Sequence, residues 1–332
     1  MDENTLLAAD VGGTKTLLQL LRRDAQSRHG ITVLAEQRYP SQAYASLEAM
    51  VDEFLAAQHS PYPQAACFAV AGPVSQREGR QTSRLTNLPW QLDSSVMSQA
   101  LRIPRISLLN DFQAIGYSLD VLDDDELTCL NAVPALPDSP KLVVGAGTGL
   151  GVCLVTPDAG HDTSHATEGG HLAFAPLDSQ QDALNNYLRE RFGRVSNERL
   201  LSGKGLENIY RFLLHQAGEA QDSLLGHEDP AAAIGQQALT SKHSLAIDTA
   251  QLFLRIYGAV AGDLALACLP RGGVFIAGGI APKLLPLIQE GGFMRAFSDK
   301  GRMSELVSAL PVQVITNPHC GLLGAARYVS RQ

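Results

Sequence analysis

The sequence predicts an α/β protein of about two domains, and three observations carry that prediction. Short apolar runs that end in glycine alternate with segments of helical period. At roughly 100–200 residues per domain, a chain of 332 residues suggests two. Finally, Gly12-Gly13-Thr14 and Gly147-Thr148-Gly149 hold similar places, each after one apolar strand and before another, which is a weak internal repeat.

The elements follow in order. Residues 6–10 form an apolar run leading into Asp10-Val-Gly-Gly-Thr14, and residues 16–21 and 31–39 read as further strands. Residues 46–57 place Leu47, Met50, Val51, Phe54 and Leu55 at helical spacing. Residues 65–71 read as a buried strand ending in Gly72-Pro73, and residues 106–109 as another ending in Asn110-Asp111. A second set starts at Lys141: strands at 142–144 and 152–156 flank Gly145-Ala-Gly-Thr-Gly-Leu-Gly151. Helices are expected at 181–192, 205–216 and 245–267, and a strand at 273–277 ends in Gly278-Gly279. Residues 218–230 are read as an exposed loop, and the acidic run 120–125 as a solvated turn near the domain boundary.

Composition removes several function classes. Hydrophobic residues make up 45% of the chain, enough for a core. The 26 basic and 34 acidic side chains give a formal charge of −8, and the pI is about 5.6. Nucleic acid is held electrostatically by a basic face, so this balance argues against it. A small anion is still allowed, because backbone N–H groups and a bridging metal ion hold phosphate without net positive charge. Residues 1–10 lack the basic and apolar regions of a signal peptide, and the apolar windows at 142–155 and 273–280 are too short and glycine-rich to span a bilayer. Five scattered cysteines (67, 129, 153, 268, 320) without a C-x-x-C point to reduced thiols in the cytoplasm.

The 30 glycines are the positive clue. Glycine lets backbone approach a phosphate closely, and successive N–H groups make an anion nest. Two standard phosphate motifs fail. Gly203-Lys204 is followed by Gly205 with no glycine five before Gly203, so there is no Walker A sequence. After Gly145 and Gly147 the third glycine of a dinucleotide fingerprint is replaced by Leu150. One such turn is readily structural; three of them, at 12–14, 147–149 and 278–279, favour a nucleotide held between two lobes.

Asp111 stands just past a buried strand, where ligands bind in open α/β folds, and a carboxylate there can take a proton from an alcohol. The plain alternative is that it caps a helix over 112–119. Glu168-Gly-Gly-His171 sets an acid and an imidazole three residues apart. A metal would need further ligands, and only His161 and His165 are near. Carboxylate and imidazole also suit a polyhydroxylated ligand, whose hydroxyls both donate and accept. Glu198, at the head of Glu-Arg-Leu-Leu-Ser-Gly-Lys-Gly-Leu, reads by itself as a surface residue near a helix start.

Together these segments resemble bacterial glucokinases of the actin/hexokinase/Hsp70-like superfamily. The matching stretches are Asp10-Val-Gly-Gly-Thr14, Thr86-Asn-Leu-Pro-Trp90, Leu109-Asn-Asp-Phe112, Gly145-Ala-Gly-Thr-Gly-Leu-Gly151, Glu168-Gly-Gly-His171, Glu198-Arg-Leu-Leu-Ser-Gly203, Gly273-Val-Phe-Ile-Ala-Gly-Gly-Ile280 and Gly321-Leu-Leu-Gly324. Each is short; their shared order from about residue 6 to 327 is specific.

The resemblance implies a two-lobed, actin-like (ribonuclease H-like) ATPase fold with an interlobe cleft. Residues 1–121 with 317–332 would form the smaller α/β domain, and 122–316 the larger. It implies ATP-dependent phosphorylation of D-glucose at the 6-hydroxyl, with Mg²⁺, in a cytoplasmic homodimer with no nucleic-acid or membrane partner. By the same resemblance Asp111 is the general base, and Asn110, Glu168, His171 and Glu198 bind glucose. Asp10, Gly12, Gly13 and Thr14 correspond to a first phosphate loop with Asp10 near magnesium. Gly147, Thr148 and Gly149 correspond to a second, and Gly278 and Gly279 to the adenosine contact.

Three positions depart from the family's habit: Ala9 for glycine, Lys15 for asparagine and Lys204 for proline. Lys15 either adds a phosphate contact or faces solvent. The related ROK kinases carry a zinc-binding cysteine cluster, which five scattered cysteines do not make. Three rival readings remain at this level: a kinase for mannose, fructose or an amino sugar; a sugar-sensing regulator; and an ATPase without a small substrate. A strand starting about six residues in leaves no room for a regulator's helix-turn-helix, and the hexose-binding set argues against the last. Polyphosphate in place of ATP is left open by the glycine turns.

Overall fold

The computed structural model describes residues 4–27, 29–58, 62–85, 87–158, 160–219, 221–240 and 243–332. Residues 1–3 of the N-terminal stretch, Thr86 of the Thr-Asn-Leu-Pro-Trp segment and Ala220 of the acidic loop lie outside them. The chain divides into two compact units. The first comprises Met1–Asp123, Asp162–Ala166 and Pro318–Gln332; the second comprises Asp124–His161 and Thr167–Asn317.

The first unit begins with β1 (Thr5–Val11), β2 (Lys15–Arg23) and β3 (Ile31–Pro40). β1 is buried on both faces and so reads as a continuous apolar run, whereas β3 is mostly exposed, as an edge strand should be. α1 (Leu47–Ala56) is capped by Ser46, which accepts from Ala49 N–H at 3.2 Å, and buries the five residues whose spacing predicts it. After β4 (Ala65–Val70) comes a small antiparallel sheet of β5 (Val74–Arg77), β6 (Arg80–Arg84) and β7 (Gln91–Asp93). Their side chains are mostly polar and solvated, so no apolar alternation announces them. α2 (Ser94–Leu101), β8 (Arg105–Asn110) and α3 (Asp111–Ser118) complete the N-terminal part.

The second unit carries β9 (Leu127–Asn131), β10 (Lys141–Ala146) and β11 (Leu150–Asp158). Of β12 (His161–Thr167), the central residues Asp162–Ala166 group with the first unit. There Gln113 Nε2 donates to the Ser164 carbonyl (2.9 Å) and Ser164 Oγ donates to the Gln113 carbonyl (2.8 Å). Then follow α4 (Ser179–Phe192), α5 (Gly203–Gln216), α6 (Pro230–Leu239), α7 (Ser244–Cys268) and β13 (Gly273–Ala277). Short helices α8 (Leu285–Gln289), α9 (Gly292–Ser298) and α10 (Ser304–Ser308) lead to β14 (Val312–Ile315), and α11 (Cys320–Ser330) returns to the first unit.

The expected repeat is visible in the strand topology. In the first unit the order is β3-β2-β1-β4-β8, with β1 antiparallel to β2 and parallel to β4, and β4 parallel to β8. In the second, β11-β10-β13-β14 repeats this: β10 is antiparallel to β11 and parallel to β13, and β13 is parallel to β14. The glycine turns at 12–14 and 147–149 therefore join equivalent strand pairs.

Alternation along β1 sorts the first unit's core. Leu7, Ala9 and Val11 pack toward α1 and α2, while Leu6 and Ala8 pack with Ala114 of α3 and with Leu322, Ala325 and Ala326 of α11. α7 is long and apolar enough to cross a membrane by length and composition, but most of it is buried in the second unit's core. Two of the loop expectations change in detail. Residues 218–230 are largely exposed but hold a 3₁₀ turn, Ser223–Gly226, with Leu224 buried. In the acidic run, Asp120 is more than a solvated turn residue: it accepts from Arg327 (2.9 Å) and from Arg331.

Candidate active site

β8 ends at Asn110, and α3 begins at Asp111. The cap of α3 is Asn110, not Asp111: Asn110 Oδ1 accepts from Phe112 N–H (3.0 Å) and Gln113 N–H (3.4 Å), while its Nδ2 donates to the Gly72 carbonyl (3.2 Å). The helix-cap reading of Asp111 therefore fails. Asp111 Oδ1 accepts a share of the Phe112 N–H (2.9 Å). Burial pushes its carboxyl up to about 6; the Asp10 charge adds to that, and hydrogen bonds from the Phe112 N–H and Asn110 act against it.

Asp10 lies one residue inside the end of β1, level with Ala69 of β4. Burial raises its pKa, and the charges of Lys15 and His319 oppose the rise. A Cβ added to Gly321, in the first turn of α11, would come within 3.6 Å of Asp10 Oδ2. The turn after β1 is closed by Gly12 N–H donating to the Lys15 carbonyl (3.0 Å). Lys15 is solvent-exposed at the start of β2.

Ser41 secures this turn from beneath. Its Oγ donates to the Gly12 carbonyl (2.7 Å) and lies 3.0 Å from Thr16 Oγ1, and its N–H donates to the Thr14 carbonyl (3.0 Å). Sequence reasoning missed Ser41 because its partner is 29 residues away and no motif marks a 3₁₀ turn after an edge strand.

In the second unit, two of the glycine turns come together. Gly147 N–H donates to the Gly149 carbonyl (2.8 Å), and the Gly147 carbonyl accepts from Gly203 N–H (2.9 Å), the first residue of α5. Gly278 has φ +81°, and a Cβ there would overlap the Ala146 carbonyl, so only glycine fits. Ile280 N–H donates to that same carbonyl (3.2 Å). A Cβ on Gly147 would still be 4.0 Å from Gly279 N, which leaves the two turns adjacent but not interlocked. The Tyr257 hydroxyl of α7 accepts from Ala146 N–H and donates to the Val144 carbonyl, each at 3.1 Å, and so fixes the end of β10. Lys204 pairs with Glu207 (2.8 Å) at the start of α5.

Glu168, His171 and Glu198 are brought together around β11. The Gly169–His171 turn lies against that strand so closely that a Cβ on Gly170 would overlap the Leu150 carbonyl. Thr167 Oγ1 donates to the Val152 carbonyl (3.0 Å) and accepts from Gly169 N–H (3.2 Å). Glu198 sits in the 3₁₀ turn before α5, and its Oε2 accepts from Leu150 N–H (3.1 Å). It is thus anchored, not a free surface glutamate. The imidazole of His171 lies between the two acids, Nε2 at 3.7 Å from Glu168 Oε2 and Nδ1 at 4.0 Å from Glu198 Oε1. Both separations exceed hydrogen-bond length, so the three groups keep donor and acceptor capacity for a ligand.

Known proteins resemble this chain over nearly its whole length. A sequence model of the family described as Glucokinase matches residues 7–332. The glucokinase of Nostoc punctiforme is 41% identical over 98% of this chain and 99% of its own length. The crystal structure of a glucokinase from an Antarctic psychrotroph superposes with a TM-score of 0.85 at 31% identity, covering 99% of both chains. A ROK family glucokinase from Streptomyces griseus, solved with glucose and AMPPNP, superposes at 0.64 over 99% of this chain and 100% of its own, at 19% identity, a likeness of fold. The duplicated strand order, the paired glycine turns and the match over nearly the whole chain have one reading: on an actin-like ATPase fold, this chain is a member of the glucokinase family.

Proposed function

We propose that the chain transfers the γ-phosphoryl group of ATP to the 6-hydroxyl of D-glucose, the reaction of an ATP:D-glucose 6-phosphotransferase. The observation that carries this reading is Asp111: a carboxylate at a strand end, relieved of capping by Asn110 and raised by burial to about 6. A base poised just below neutral pH is ionised when needed and still accepts a proton. In this reading Asp111 orients the 6-hydroxyl and takes its proton. Asn110, Glu168, His171 and Glu198 hold the remaining hydroxyls, and a site that hydrogen-bonds each hydroxyl rejects sugars that lack or invert one.

The Gly12-Gly13-Thr14 and Gly147-Thr148-Gly149 turns take the phosphates through amides other than those of Gly12 and Gly147, which close the turns on the Lys15 and Gly149 carbonyls, with Gly278 and Gly279 against the adenosine. A buried carboxylate oxygen suits a hard cation, so Asp10 would hold Mg²⁺ together with phosphate oxygens. When bound, the ion neutralises phosphate charge. A neighbour of the same fold holds glucose and an ATP analogue. The same reading makes the enzyme a cytoplasmic homodimer, and sedimentation checks the assembly.

A coupled assay with MgATP, and with polyphosphate, against glucose, mannose, fructose and glucosamine tests the proposal. Turnover confined to glucose and ATP is expected. Preference for another hexose or for polyphosphate would overturn the substrate assignment.

A further inference from the structure

We propose that Ser41 is a positioning residue that aims the Gly13 and Lys15 amides, in and just after the Gly12-Gly13-Thr14 turn, at phosphate; this rests on reading that turn as a phosphate loop. The argument begins with peptide geometry. In a trans peptide the C=O of one residue and the N–H of the next point in opposite directions. Ser41 Oγ holds the Gly12 carbonyl at 2.7 Å, and Ser41 N–H holds the Thr14 carbonyl at 3.0 Å. Both carbonyls are therefore turned toward one residue. The N–H groups that follow them, of Gly13 and Lys15, are turned away from it. Two outward amides within three residues are the elements of an anion nest.

The direction of each proton is also determined. A hydroxyl has one hydrogen to give. Ser41 gives its hydrogen to the Gly12 carbonyl, so the 3.0 Å contact with Thr16 must be Thr16 O–H donating to Ser41 Oγ. Thr16 and Ser41 are both fully buried. With both hydroxyls buried, deleting either one leaves its partner without a ready substitute and loosens the turn.

Ser41→Ala and Thr16→Val test the proposal, with Thr14→Ala as a comparator on the turn itself. Steady-state kinetics give KM for MgATP, and calorimetry gives glucose affinity without nucleotide. Ser41→Ala is expected to raise KM for MgATP about tenfold, the scale of one strong hydrogen bond, with glucose affinity within about twofold. Thr16→Val, which keeps the Ser41–Gly12 bond, is expected to show a smaller change of the same kind, and it carries the test if Ser41→Ala fails to fold. Unchanged MgATP kinetics in a folded Ser41→Ala protein, or equal loss of MgATP and glucose binding, would overturn the positioning role. If Thr14→Ala weakens MgATP and Ser41→Ala does not, only the Ser41 assignment falls. If neither does, the phosphate-loop reading falls and takes this one with it.

Discussion

The acidic groups of the candidate site differ between the two units. In the first, burial raises both Asp10 and Asp111. In the second, the Glu168 side chain is 73% exposed and His171 56%. On the assignment proposed above, the difference separates two kinds of work. A base that must take a proton gains from losing its water, whereas groups that recognise hydroxyls must trade water for ligand and need access to both. The glycine turns differ in a similar way. In the second unit a backbone amide, Gly203 N–H, holds the Gly147 carbonyl; in the first a side-chain hydroxyl, Ser41, does that task for Gly12. One clamp is written into the backbone and the other can be deleted by a single substitution.

The contrast breaks most visibly at Asp111. Asp111→Ala is expected to lower kcat by roughly 10²–10⁴-fold, the scale of a lost general base, while MgATP still binds. Near-normal turnover would remove the base from the first unit. On the recognition side, Glu198→Gln is expected to weaken glucose by roughly 10–100-fold, as for a lost charged hydrogen bond, and MgATP far less. Equal weakening of both would show that the tie from Glu198 to Leu150 N–H, and not a sugar contact, is what matters.

Burial of Asp111 also has a cost in stability. A carboxyl raised from 3.8 to about 6 disfavours the fold as it ionises. Wild-type stability contributed by the neutral acid is present below about pH 4 and lost as pH rises through about 6. Asp111→Asn cannot ionise, so it is expected to be more stable than wild type by on the order of 2 kcal/mol at pH 8 and to show no such gain at pH 4. Denaturant melts at the two pH values check this. The smallest effect is on the pH profile. The kcat/KM profile of wild type should fall on the acid side near pH 6. Asp10→Asn removes the charge that, after burial, raises Asp111, so its acid limb should move to lower pH whatever the height of the profile. A limb that stays in place would mean the two carboxylates do not sense each other.

Legibility in the sequence followed burial. β13 was readable to the residue because both faces are covered and its apolar run is continuous, and α1 because Ser46 and a five-residue apolar stripe mark it. The strands β5–β7 were not, since they are polar and short. At the site, position was legible and role was not. Asn110-Asp111 stands plainly at a strand end, but which of the two caps α3 depends on where Oδ1 of Asn110 points. The Ser41–Gly12 and Gly203–Gly147 bonds join distant segments, and only tertiary folding creates them.

The helix that begins with Asp111 has a neighbour that comes late. Gly324 of α11 allows so close an approach to α3 that a Cβ would overlap the Ala114 carbonyl, Tyr328 meets Tyr117 with ring centroids 4.9 Å apart, and Arg327 reaches Asp120. On the ribosome, α11 is translated only after all of the second unit, whereas folding proceeds from the N-terminus. A nascent chain therefore holds all three glycine turns before it holds the helix that packs against α3. The brace on α3 can form only once nearly the whole chain has left the ribosome.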